Sequence, residues 1–243
     1  ALFTPLAGLT FPSGSSTISR SMIKYDLATM TLEQRIKKEF LAQKSDVKRR
    51  AVGALHHDYL VPAGPYEEQW DWDAFFIGMS LASEISSEAV YLKNWALNYL
   101  EYTNPRTGFT PGLLTPKGRD NRLHHIKPFF AQGIYFAGRL LDDYEWVRPH
   151  FAALQRSILY REQRLWSKKY GLGMWYDSME SGADNNVAAL EYPKGTVIAA
   201  DFNAFMYREY LAMSKVAAAL GKAAVSRRFR KKALALRRNI NRY

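Results

Sequence analysis

The sequence contains no cysteine, and this absence excludes several kinds of site at once. A chain without thiols has no disulfide framework, no zinc site with thiolate ligands and no cysteine nucleophile. It also lacks an Asn-x-Ser/Thr glycosylation acceptor, so a reducing, cytoplasmic location is favoured. No run of eighteen apolar residues occurs, and the first residues lack the basic flank and long apolar core of a signal peptide. We therefore expect a soluble chain without a membrane partner.

Acidic residues are absent from the C-terminal part of the chain. Residues 210–243 hold ten of the 34 Lys and Arg residues and none of the 23 Asp and Glu residues. This part therefore carries +10 of the net charge of +11. One hypothesis is that residues 226–242 form a helix that binds nucleic acid. We favour a solvated helix whose acidic partners lie further along the chain, because no pattern of an RNA-binding module accompanies it, and nucleic acid is not the expected partner.

Periodicity predicts a helical chain. Residues 1–30 are rich in Ser, Thr, Gly and Pro, which predicts an extended N-terminal arm. Thr31 and Gln34 form a capping-box pattern, so a helix is expected to begin there and to continue or restart through residues 52–60. Further helices are predicted after Asp73, after residue 86 or 87, and over residues 128–141, 144–166 and 201–220, before the basic tail. No hairpin signal and no βαβ alternation occurs, so the predicted class is all-α, with about seven helices in successive pairs.

Two short segments mix aromatic rings with carboxylates, a composition that suits a polar pocket better than a packed core. The first, residues 66–73, contains Tyr66, Trp70, Trp72 and Asp73, and the second, residues 174–186, contains Trp175, Asp177, Glu180, Gly182 and Asp184. Cleaving an acetal such as a glycoside needs one acid to protonate the leaving oxygen and a second carboxylate to activate water or attack carbon. Both segments supply such acids and rings that can stack on a sugar. Together they predict a sugar-binding active site.

Other interpretations of these residues remain open at this point. Trp70 and Trp72 could each fill the core, and Asp184 could form an Asx-turn or cap a helix. Gly182 would let the backbone approach a ligand or turn sharply. The adjacent histidines His124 and His125 raise a metal hypothesis, but neighbouring histidines rarely converge on one ion and no third ligand is marked. We expect no metal and no cofactor.

Three motifs resemble those of glycoside hydrolase family 63, most closely its mannosylglycerate and glucosylglycerate hydrolases. They are Tyr66-x-x-x-Trp70-x-Trp72-Asp73, Glu180-Ser181-Gly182-Ala183-Asp184-Asn185, and Asp201-Phe202-Asn203-Ala204 followed by Tyr207-Arg208. The resemblance covers roughly residues 31–243, and trehalases share a related Ser-Gly-x-Asp loop. Ala183 departs from the pattern, since a larger residue is expected there, and this would widen the pocket.

The resemblance implies an (α/α)6 barrel, or α-toroid, and hydrolysis with inversion of the anomeric configuration. Asp184 would be the general acid. The substrate-binding residues would be Tyr66, Trp70, Trp72, Asp73, Gln132, Trp175, Asn185, Asp201 and Arg208. Among them, Arg208 would hold the glycerate carboxylate, for which a planar bidentate donor is well suited.

One departure concerns the number of helices. The barrel of the family has twelve helices, whereas residues 31–243 supply about seven, so we expect this region to form the N-terminal part of the catalytic domain. The family's general base is a glutamate that has no match here and is expected beyond Tyr243. The remainder of the barrel, or a second fragment, is then an expected partner beside the small glycoside.

The expected function is hydrolysis of mannosylglycerate or glucosylglycerate by an inverting mechanism. The nearest alternative is an α-glucosidase or trehalase that acts on a neutral substrate. A second alternative is a non-catalytic helical module that binds nucleic acid through its basic C-terminal helix. Dependence of activity on Arg208 would separate the first two, because a neutral disaccharide offers no carboxylate to pair.

Overall fold

The computed structural model describes residues 30–120 and 124–243. Contacts between Cα atoms divide the chain into two units, 1–42 and 43–243. The predicted arm, residues 1–30, lies outside the described residues except for Met30. Helix α1 (Leu32–Gln43) begins at the predicted capping box. There the Thr31 hydroxyl accepts the amide N–H of Gln34 at 3.2 Å, and the Gln34 side chain accepts that of Thr31 at 2.9 Å.

The unit 43–243 is mostly helical. Its α-helices are α2 (Asp71–Glu84), α3 (Val90–Glu101), α4 (Phe130–Leu140), α5 (Phe151–Arg164), α6 (Ser178–Ser181), α7 (Val187–Glu191), α8 (Ala200–Ala219) and α9 (Ala223–Arg242). Single 3₁₀ segments, Ser86–Ala89 and Glu145–His150, precede α3 and α5. None of the helices in the described ranges is both long and apolar enough to span a bilayer.

The helices bury a core that is rich in aromatic rings. Helix α3 packs against α2 and α4, and α8 packs against α4 and α9. Trp95 is fully buried on α3, where its ring lies edge-on to Phe130 of α4 at a centroid distance of 5.8 Å. A Cβ on Gly133 of α4 would lie 2.5 Å from Trp95, so glycine is what allows this close approach. The apolar faces of α8 and α9 meet at Tyr210 and Phe229.

Three small antiparallel sheets, which the sequence did not indicate, accompany the predicted mostly helical structure. The strands are β1 (Lys48–Arg49), β2 (Tyr59–Leu60), β3 (Gln69–Trp70), β4 (Leu113–Thr115), β5 (Gly118–Arg119), β6 (Trp166–Ser167), β7 (Leu172–Trp175) and β8 (Val197–Ile198). They pair in the orders β1-β2, β3-β4-β5 and β6-β7-β8. Strands of two to four residues are too short to show an alternating pattern, and for this reason periodicity did not reveal them.

Several predicted helices are confirmed, and one is wrong. Helices α4 and α8 lie within one or two residues of the predicted ranges, and the basic tail forms α9. Residues 52–60 do not continue or restart α1. Instead, Gly53 adopts a left-handed φ of +56°, the amide of Ala54 donates to the Pro116 carbonyl at 2.8 Å, and β2 follows. Helix α1 has already ended at Gln43, before β1, and this turn leads from β1 into β2.

Candidate active site

Residues from both of the segments that mix aromatic rings with carboxylates, 66–73 and 174–186, line one open pocket of about 280 Å³. From the first segment come Tyr66, Trp70, Trp72 and Asp73, from the second Met179, Gly182 and Asp184, and Pro62 and Lys127 complete the lining. The two segments lie more than one hundred residues apart in the chain, so the fold brings them together. The volume lies near the lower end of the range for ligand sites, which begins at roughly 300 Å³.

The first segment is positioned by the junction between β3 and α2. Strand β3 pairs with β4, with Trp70 opposite Leu113, and α2 begins at the next residue. Trp72 and Asp73 therefore lie in the first turn of a helix, where a carboxylate interacts favourably with the helix dipole. Asp71, the first residue of α2, holds this turn in place through its contacts with Lys127. Its buried carboxylate accepts the backbone N–H of Lys127 at 2.6 Å and the ammonium of the same residue at 2.8 Å.

The second segment is held by buried polar contacts. Asp177 caps α6 by accepting the Glu180 amide N–H at 3.0 Å. The Glu180 carboxylate is itself buried and accepts the backbone N–H groups of Tyr176 and His125 at 2.8 and 3.2 Å. The Arg161 guanidinium lies 3.4 Å from it. Because Glu180 binds inward, it stabilises the loop and does not reach the pocket.

Gly182 joins the two segments. It ends α6 in the left-handed conformation, with φ of +77°. A Cβ at this position would lie 2.8 Å from the Trp72 indole, so the backbone packs directly on the ring. The chain then turns outward, and Asp184 is exposed at the edge of the pocket. The glycine thus produces the sharp turn that the sequence predicted.

The pocket carboxyl Asp73 has a raised pKa. Partial burial is the largest cause, since it disfavours the charged form, and the neighbouring carboxylates Asp71 and Asp184 raise the pKa further. The Asp73 backbone N–H and Lys127 act in the opposite direction. The pocket therefore contains one half-buried carboxyl with a raised pKa and one exposed carboxyl, Asp184. Unequal environments of this kind allow two acids to take different roles.

Four of the predicted binding residues lie in other places, and a fifth lies beside the pocket. Trp175 is buried, with its indole N–H donating to Asp201 at 3.1 Å and its ring edge-on to Phe202 at 4.7 Å. Neither Trp175 nor Asp201 lines the pocket. Asn185 is exposed and also does not line it. Gln132 and Arg208 line a different groove, described below, which shares no residue with the pocket.

Sequence reasoning missed Lys127 and Pro62 as pocket residues. Lys127 lies between the two segments in the chain and is not part of either motif. Its buried ammonium lies 6.0 Å from the centroid of the Trp72 ring and forms an ion pair with Asp71. A single lysine in a long connection carries no sequence signal of this role. Pro62 offered only a turn signal.

The two adjacent histidines have separate polar partners. His124 Nε2 lies 3.1 Å from the Asp177 carboxylate. His125 is buried, accepting the Thr110 amide N–H through Nδ1 and contacting the Ser157 carbonyl through Nε2. Within the two described ranges, no group of three or more His, Asp or Glu side chains is arranged to hold a metal ion.

Comparison with known proteins adds no assignment. No protein-family model matches the chain, and no curated protein is significantly similar to it. The site itself offers two carboxyl groups of unequal environment, three aromatic side chains and one lysine that is bound to a third carboxylate.

Proposed function

We propose that the chain carries the sugar-binding half of an inverting α-glycoside hydrolase, with Asp184 as the general acid. The observation that supports this is the convergence of Tyr66, Trp70, Trp72, Asp73 and Asp184 on one pocket. The motifs that resemble glycoside hydrolase family 63 contain these same residues. A chance set of surface acids and rings, taken from segments so far apart, has no reason to face a common cavity.

The pocket offers the groups that glycoside cleavage requires. The Trp70 and Trp72 rings provide flat apolar surfaces for a sugar ring, and Asp73 can bond its hydroxyl groups. As the bond between the anomeric carbon and the glycosidic oxygen breaks, the Asp184 carboxyl transfers its proton to the leaving oxygen. A water molecule, deprotonated by a base, forms the new bond on the opposite face. Among the described residues no glutamate lines the pocket, so the proposal assigns the acid alone.

The (α/α)6 barrel is part of the same proposal. It is supported by the packing of consecutive helices as neighbours, α2 with α3, α3 with α4 and α8 with α9. A toroid of helical pairs is one arrangement that such contacts allow.

The geometry favours a neutral sugar substrate over a glycerate. The predicted anionic substrate came from the family resemblance, in which Arg208 was the candidate for its carboxylate, and Arg208 lines the separate groove. In the described part of the chain, Lys127 is the one cationic side chain that lines the pocket, and its ammonium is bound to Asp71. A carboxylate ligand in this cavity would therefore meet no free cation to pair with among the described residues, and its burial there would be uncompensated. An α-glucosidase or trehalase substrate therefore fits better.

The test measures the release of free sugar from trehalose, mannosylglycerate and glucosylglycerate by the complete gene product and by its Asp184→Asn variant. We expect turnover of the neutral substrate, reduced about 10²- to 10⁴-fold in the variant. The variant should retain activity on 2,4-dinitrophenyl α-glucoside, because this leaving group needs no proton. The control is Asp46→Asn, which changes an exposed aspartate away from the pocket. Absence of turnover of every substrate, or equal rates in Asp184→Asn and wild type, would overturn the proposal.

A further inference from the structure

A second concave surface lies along helices α4, α8 and α9. This groove, with a volume of about 620 Å³, is lined by Gln132, Tyr135, Phe136, Arg139, Ala204, Tyr207, Arg208, Leu211, Ala212, Lys215, Arg237 and Ile240. The residues from α4 and α8 recur at intervals of three and four, so each helix presents one continuous face to the groove. None of these residues belongs to the pocket of Asp184.

The shape of the groove matches an α-helix. On α8 its lining extends from Ala204 to Lys215, which at ~1.5 Å per residue is a length of about 16 Å, or three helical turns. Its lining includes the half-buried apolar side chains of Phe136, Leu211 and Ile240, which we term its floor. A groove between neighbouring helices with an apolar floor accepts the side-chain ridge of a further helix.

The charge of the groove has one sign. Its four charged residues are Arg139, Arg208, Lys215 and Arg237, and no acidic residue lines it. In the parts of the chain that the structure describes, none of these four cations forms an ion pair with a carboxylate. Lys215 lies instead over the Tyr135 ring, 4.6 Å from its centroid. By contrast Lys232, on another side of α9, is paired with Glu162 of α5.

We propose that this groove binds an amphipathic α-helix of a partner protein, about three turns long, with an apolar stripe that is flanked by Asp and Glu. The apolar floor would receive the stripe, and the flanking acids would pair with the four cations. A single small anion fits less well, because Arg208 and Lys215 are separated by about two turns of α8 and do not converge on one point. The inference uses no residue of the proposed catalytic pocket, so either proposal can fail without the other.

The test uses two synthetic helical peptides with the same Leu and Ala stripe, one with Glu and one with Lys on both flanks. Binding to the protein is followed by fluorescence anisotropy at low and at physiological salt. We expect the Glu peptide to bind at least tenfold more tightly, with an affinity that falls as salt is added. The double variant Arg208→Glu, Arg237→Glu should reverse this preference. Both side chains are exposed, and circular dichroism checks that the fold is retained.

The matched control is Arg230→Glu, which reverses an exposed charge on α9 outside the groove and should leave the preference unchanged. The proposal is overturned if neither peptide binds, if both bind equally, or if the groove variant and the control behave alike. Binding of duplex DNA or anionic phospholipid vesicles through Arg208 and Arg237, without binding of the Glu peptide, would also overturn it. Self-association that the groove variant abolishes would make a second copy the occupant, again against the proposal.

Discussion

The pocket of Asp184 and the groove along α4, α8 and α9 differ in the charge of their lining residues and in the contacts that hold their backbones in place. The pocket has two carboxyl groups on a backbone that is fixed by buried ionic contacts, from Asp71 to Lys127 and from Glu180 to Arg161. The groove has four cations on the exposed faces of helices, with no carboxylate facing them among the described residues. A carboxyl pocket with a rigid base suits chemistry on a small ligand, whereas dispersed cations over an apolar floor suit a larger partner.

The comparison is tested most strongly by Lys127→Met. The Lys127 side chain is 8% exposed and that of its partner Asp71 is 1% exposed, so the substitution leaves a buried carboxylate without its charge partner. We expect a loss of about 3–5 kcal/mol in the free energy of unfolding, measured by urea denaturation. Because Asp71 anchors the turn that carries Trp72 and Asp73, sugar binding should weaken as well.

The control for this change is Lys194→Met. Lys194 forms an ion pair with Asp177 at 3.2 Å, but its side chain is 64% exposed. An exposed pair contributes at most ~1 kcal/mol, so this variant should unfold close to wild type. Equal losses in the two variants would show that the base of the pocket is not fixed by its buried ion pair.

The second-largest expected effect is a pH dependence of stability caused by Glu209, a buried carboxyl on α8. Glu209 is adjacent to Arg208 in the chain, yet its side chain turns away from the groove and accepts the N–H groups of Ala131 and Gln132 at the start of α4, at 2.7 and 3.2 Å. Burial raises the pKa of Glu209 from 4.5 to about 7, against the lowering effects of these two bonds and of Arg161. The native protein therefore holds a proton that the unfolded chain releases between these two values.

It follows that the contribution of Glu209 to stability is full below pH 4.5 and is lost as the pH rises through 7. Between pH 5.5 and 8.5 the loss should approach about 2 kcal/mol, since the native pKa of about 7 lies ~1.5 pH units above 5.5 and one unit corresponds to ~1.4 kcal/mol. Denaturation of wild type and Glu209→Gln at pH 5.5 and 8.5 measures it. Wild type should lose more stability over this interval than the variant. Parallel pH dependence in the two proteins would contradict the expected proton.

These contacts show which parts of the site could be predicted from sequence. The residues of a short motif, such as Trp70, Trp72 and Asp73, line one pocket because a strand end and a helix start fix their directions locally. Gly182 was predicted from its conformational freedom, which is also a local property. The positions of Gln132 and Arg208 depend on how α4 and α8 rotate against their neighbours. That rotation is set by packing across the core, which no spacing in the sequence reveals.

The fold shows the same limit. Helices α4, α8 and α9 were predictable because their apolar residues repeat over several turns. The strand β7 was not, although its residues Leu172 and Trp175 are buried, because four residues do not establish a period. Likewise, nothing near Lys127 in sequence marks Asp71 as its partner, since the pair is formed only when α2 meets the segment before α4.

The contact between the two motif segments is tested by Gly182→Ala. The added methyl group would lie within 3 Å of the Trp72 indole, and alanine would have to adopt a positive φ, which is strained for a non-glycine residue. We expect a loss of about 1–3 kcal/mol and weaker sugar binding, followed by urea denaturation and by Trp fluorescence on titration with glucose. The control is Gly221→Ala, which has nearly the same φ, +74°, with no atom within 4 Å. Equal losses in both variants would remove the steric contribution of Trp72.

The smallest expected effect comes from Arg208→Ala, and it bears most directly on the separation of the two surfaces. Arg208 is exposed and has no carboxylate partner among the described residues, so its removal should change the free energy of unfolding by less than about 0.5 kcal/mol. Because Arg208 lines the groove, kcat/KM for trehalose should also stay within twofold of wild type. A large increase in KM for a glycerate substrate alone would return Arg208 to the substrate site. That result would mean that one ligand contacts both the pocket and the groove, so that the two surfaces form a single site.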